Sequence, residues 1–115
     1  MPTRIAMWLE DMERAVDEIA LFFPEGSGPG VLAANLMLRR AVERNLEILG
    51  EAMNRILRER PDFPIEHARR IVDTRNRIAH GYDAVSEDVL WTIIVRYLPA
   101  LREEVRSLRD RYPNA

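Results

Sequence analysis

Apolar residues return at every third or fourth position along most of this chain, and that spacing limits its fold more than any other feature. Ile5, Leu9, Met12, Val16 and Ile19, joined by Trp8 and Phe23, make a stripe of helical period over about residues 3–23. The segment PEGSGPG, Pro24 to Gly30, breaks it with turn-forming residues. Leu38, Val42, Leu49, Met53 and Ile56, widened by Leu46, Ala52 and Leu57, predict a long second helix over about 31–60. Pro61 and Pro64 close it. A third helix is expected from about Ile65 to Ala79, stopping near Gly81, a residue type favoured just past a helix end. Ser86 is a good N-cap for a fourth, with Glu87 and Asp88 in its first turn. Pro99 falls inside the apolar pattern of that helix and predicts a kink or a restart before ALREEVRSLRDR. No segment reads convincingly as a strand. The expectation is an all-α antiparallel bundle of four to five helices with a kinked last helix. At 115 residues it should form one domain, 1–115, around a single modest core.

Composition removes several chemistries. There is no cysteine, which excludes disulfides, thiolate metal sites and a cysteine nucleophile. No apolar run approaches the length of a membrane span, and the charged N-terminus does not resemble a signal peptide, so a cytoplasmic protein is expected. The net charge of −2 exerts no general pull on nucleic acid, so any RNA-binding surface must be local. The charge is unevenly spread. Residues 1–54 carry 5 Arg and 9 acids, residues 55–77 carry 7 Arg and 4 acids, and residues 78–115 carry 5 and 6. The basic middle segment leads into RNRIAHGYD, residues 75–83.

Within that segment Arg75 is misplaced. The apolar face of the third helix is Ile65, Ala68, Ile71, Val72, Ile78 and Ala79, and Arg75 lies in it, four residues after Ile71 and three before Ile78. The other arginines there have ordinary explanations, Arg70 paired with Glu66 and Arg77 with Asp73 at i,i+4. A guanidinium does not shed its charge, so Arg75 must either meet a carboxylate, with Glu47 or Glu51 as candidates, or open into a cleft. His80 lies five residues on, about 140° around and about 7.5 Å along an ideal helix. A break at Gly81 would free it to turn. Asn76, four residues before His80, stands where it can orient the imidazole; alternatively His80 simply favours the helix C-terminus. Tyr82 reads as an aromatic covering the bundle end. His67 has no partner at ligand spacing, and Trp8 and Trp91 read as core or interface aromatics. No zinc-protease motif, phosphate-binding glycine loop or serine triad is present.

Arg75, His80 and Tyr82 together, in RNRIAHGY, match the signature of the HEPN superfamily. The chain more specifically resembles the HepT-type toxin ribonucleases, through AVERNLEILGEAMNRIL, the motif, and DVLWTIIVRYLPALREEV, in that order. The resemblance implies a bundle that dimerises to form a composite active site, and metal-independent cleavage of RNA without a cofactor. It implies Arg75 and His80 as the catalytic pair, with Asn76 supporting. It further implies a minimal nucleotidyltransferase antitoxin as partner, able to transfer AMP to Tyr82 and silence the nuclease. Two other readings compete: a non-catalytic helical subunit that docks such a nucleotidyltransferase and presents substrate to it, and a purely structural bundle.

Overall fold

The computed structural model describes residues 4–80 and 85–112. Among them every regular element is helical. Helix α1, Arg4–Leu21, buries Ile5, Leu9, Met12, Val16 and Ile19, the predicted stripe, while Trp8 and Phe23 are half-buried. Helix α3, Leu36–Glu59, buries Val42, Leu46, Leu49, Ala52, Met53, Ile56 and Leu57. It lies between α1 and α4, Ala68–His80, and α1 is covered on another side by α6, Leu98–Arg111. Ion pairs Arg102–Asp17, at 2.8 Å, and Arg109–Glu13, at 3.0 Å, tie α6 to α1.

The expected single helix over 31–60 is two. A short helix α2, Gly30–Ala34, ends at Asn35, whose extended backbone (φ −134°) lets its side chain accept from the Leu38 amide at 3.1 Å. Asparagine satisfies an otherwise unpaired helix-start donor in this way, and that local bond competes with a continuous helix.

The third predicted helix begins three residues late. Ile65 is buried, but His67 takes a left-handed conformation (φ 62°) and α4 starts at Ala68. The Glu66 amide instead donates to Glu104 Oε2 of α6 at 2.9 Å. The anticipated Glu66–Arg70 pair is therefore absent: Glu66 is in the turn, and Arg70 donates to the Tyr97 hydroxyl at 3.0 Å. Among the described residues, Asp73 and Arg77 form no ion pair either, as befits two side chains free in solvent. The apolar face of α4 is less covered than its pattern suggests. Ala68 and Val72 are buried, Ile71 and Ile78 are half-buried and Ala79 is exposed, because α4 packs chiefly against α3.

Where Pro99 is expected to disturb the last helix, the structure has a π turn and a restart. Ser86 caps α5, Glu87–Thr92, by accepting from the Val89 amide at 3.2 Å. One π-helical turn, Ile93–Tyr97, then joins α5 to α6. Proline has no N–H for the carbonyl one turn back, and the ladder slips there, the Leu98 amide bonding to the Ile93 carbonyl. No helix among the described residues is long and apolar enough to cross a membrane.

Candidate active site

The site begins with a glycine. Gly50 is buried in the middle of α3, where a helix would favour alanine by about 1 kcal/mol. A Cβ at this position would lie 2.2 Å from Arg75 Cβ, 2.9 Å from its Cγ and 3.1 Å from the Ile71 carbonyl oxygen. The missing side chain lets α4 cross α3 closely at Arg75. This close approach sets the arginine beside α3 despite its charge.

Both sequence alternatives for Arg75 are realised at once. Its Nη2 pairs with Glu51 Oε2 of α3, and its Nη1 donates to Asn76 Oδ1 at 2.7 Å. Of the two carboxylates considered, the partner is Glu51, while Glu47 faces Arg44 at 3.8 Å. Glu51 is shared, since it also accepts from Arg55 Nε at 3.1 Å. Arg75 remains 24% exposed. It lines a cleft of about 380 Å³ between α1, α3 and the end of α4, together with Trp8, Asp11, Ile48, Arg55 and Ala79.

The hydrogen bond from Arg75, helped by its charge and by Arg55, holds the Glu51 carboxyl below its ordinary value of 4.5 against the opposing effect of burial. A depressed carboxylate stabilises the fold above its unfolded pKa, and the contribution disappears as pH falls through the lowered value. Glu51 is 39% exposed, so the contribution is less than about 1 kcal/mol. Glu51→Gln is accordingly expected to cost a small amount of stability at neutral pH and none in strong acid. Urea titrations at both pH values check this.

Helix α4 continues through His80, which is exposed at its last turn. Five residues apart on one helix, Arg75 and His80 project about 140° from each other. Arg75 faces the cleft and His80 stands at the helix end outside it. Asn76, adjacent to Arg75, is spent on that guanidinium through its carbonyl oxygen. Gly81 and Tyr82 lie outside the described residues, and with them the expected helix break and the expected modification site. Among the described residues, no group of three His, Asp or Glu side chains is placed to hold a metal ion.

Three features escape sequence reasoning. Gly50 carried a signal, an isolated glycine inside a strong helical pattern, which often marks close packing. Trp8 was readable as an aromatic on the helix stripe but not as a cleft wall. His67 turns out to stand edge-on to Tyr97, ring centroids 5.8 Å apart, at the mouth of a second, mainly apolar cavity of about 220 Å³.

The helical bundle, with Arg75, Asn76 and His80 in that order on α4, has the architecture that a resemblance to the HEPN superfamily implies. Comparison with known proteins narrows this. A family model described as "Ribonuclease HepT-like" matches residues 12–108, and the chain belongs to that family. It is 38% identical over 72 residues to a protein of Methanocaldococcus jannaschii named "Putative RNase", the match covering 62% of this chain and 66% of that one. It is 30% identical over 79 residues to a protein of Caldanaerobacter subterraneus subsp. tengcongensis with the same name, covering 65% of this chain and 68% of that one. The chain thus spans about two thirds of the length of these relatives. No solved structure matches it.

Proposed function

We propose that this protein is a metal-independent endoribonuclease, the toxin of a toxin–antitoxin pair, with Arg75 and His80 as its catalytic residues. The observation that carries the reading is Arg75 itself: a permanent cation set at a cleft by a glycine crossing and steadied by Asn76. The family membership and the names of the two relatives support RNA as the substrate.

RNA carries its own nucleophile. The 2′-OH attacks the adjacent phosphorus, its proton passes to a histidine, and the P–O5′ bond breaks as the 5′ oxygen takes up a proton. The products are a 2′,3′-cyclic phosphate and a 5′-OH. His80 suits the proton transfers, because an imidazole exchanges protons near neutrality. Arg75 suits the extra negative charge on the pentacoordinate transition state, which its forked donors match. Since α4 carries Arg75 and His80 to different sides of one helix, two copies of the chain would complete one site, one histidine acting as base and the other as acid. The incompletely covered Ile78 and Ala79 beside His80, and the exposed Val89 and Val95, offer apolar surface for such a homodimer.

The partner in this reading is a minimal nucleotidyltransferase that transfers AMP to Tyr82. The added phosphodiester would obstruct RNA by bulk and by charge. Purified protein is expected to cut RNA in EDTA, and His80→Ala to slow cleavage about 100-fold or more. Co-expression with the nucleotidyltransferase should add the mass of AMP and stop cleavage, and Tyr82→Phe should prevent the addition. Cleavage that persists unchanged in both the Arg75→Ala and His80→Ala proteins would refute the nuclease. The net charge of −2 favours one rival, the non-catalytic docking subunit; AMP incorporation by a dimer that never cuts RNA would establish it.

A further inference from the structure

The cleft beside Arg75 contains two residues that the chemistry above does not use, Trp8 and Asp11 of α1. They are three residues apart on one helix and so share a face. Trp8 is half-buried, packed against the core and lining the cleft. Asp11 is exposed. Of the three carboxylates in this cleft, Glu47 is paired with Arg44, and Glu51 with Arg55 and Arg75. Asp11 has no ion pair or hydrogen bond among the described residues.

We propose that this cleft is a nucleobase subsite, where Trp8 stacks on the base of one nucleotide, Asp11 accepts from its exocyclic amino group and Arg75 holds the neighbouring phosphate. The proposal rests on the RNA-cleaving reading and adds a preference to it. An indole supplies a flat apolar surface on which any base stacks. An ionised carboxylate only accepts hydrogen bonds and repels phosphate, so it suits the amino group of adenine, cytosine or guanine. Uracil presents two carbonyl acceptors around a single N–H and fits less well. A cleft of about 380 Å³ is within the range of small-molecule pockets and admits one nucleotide.

The arginines make the exchange affordable in charge. When Arg75 turns from Glu51 to a phosphate, Arg55 still holds the Glu51 carboxylate, so no buried charge is stranded. Arg44 similarly offsets Glu47.

Trp91→Phe leaves Trp8 as the sole tryptophan, and its emission then reports on the cleft directly. The probes are short 2′-O-methyl oligo(A), oligo(C) and oligo(U), which lack the nucleophile and cannot be cut. Oligo(A) and oligo(C) are expected to change Trp8 emission saturably, at lower concentration than oligo(U). Trp8→Leu should weaken binding of fluorescently labelled oligo(A) about tenfold or more, and Asp11→Ala should erase the preference over oligo(U). Oligonucleotides that bind in an Arg75-dependent manner while leaving Trp8 emission unchanged would overturn the subsite and spare the nuclease. Neither binding nor cleavage by the unaltered protein would overturn both. Emission that follows protein concentration rather than oligonucleotide would identify a second copy as the occupant, and the subsite would again be wrong.

Discussion

Arg75→Ala is expected to lower RNA cleavage by about 100- to 1,000-fold, the usual loss when one preorganised donor to a charged transition state is removed. Folding should barely register the change. The Arg75–Glu51 pair is 24% and 39% exposed, and partly exposed pairs contribute less than about 1 kcal/mol. Glu51 also keeps Arg55. Arg75→Lys should recover only part of the activity, because an ammonium keeps the charge and loses the forked geometry. Single-turnover cleavage and thermal melts of the three proteins test this together. A large fall in melting temperature accompanied by an equal fall in activity would instead make Arg75 a structural cation.

Gly50→Ala is expected to damage both stability and activity, against the usual benefit of alanine in a helix. The new Cβ would meet Arg75 Cβ at 2.2 Å, and a Cβ does not swing aside as a side-chain end does. The contact at 3.1 Å is with a backbone oxygen, so α4 itself must move away from α3. Overpacking of this kind costs about 1–3 kcal/mol, and the helical preference of alanine returns at most about 1 kcal/mol. A melting midpoint lower by about 5 °C is the expected sign of the difference. Cleavage should fall further than stability, up to about 100-fold, because displacement of about 1 Å is enough to spoil a catalytic alignment. A Gly50→Ala protein that melts higher than its parent would show that the two helices do not cross as closely as described.

Much of the architecture is written in local pattern. The apolar period of α1 and α3 places their buried residues, Ser86 marks the start of α5, and Pro99 marks the slip into a π turn. These features depend on neighbours within one or two turns, which a linear sequence displays. The apolar period fails where a stronger contact overrides it, local in one case and distant in the other. Asn35 breaks a helix that periodicity would continue, and His67 turns left-handed where Glu66 is drawn to Glu104 on α6.

The candidate site divides in the same way. Sequence alone singled out Arg75 as a charge the helix does not explain, grouped it with Asn76 and His80, and named Glu47 and Glu51 as its possible partners. It could not choose between two carboxylates one turn apart on the same face, because the choice depends on the height at which α4 crosses α3. The tertiary structure decided that through Gly50, whose absent side chain sets the crossing and gives Arg75 to Glu51. It also brought Trp8 and Asp11, more than sixty positions away in the chain, into the same cleft. Residue type and period determine which side chain is out of place in its own helix. Only the packing of one helix on another determines what that side chain meets.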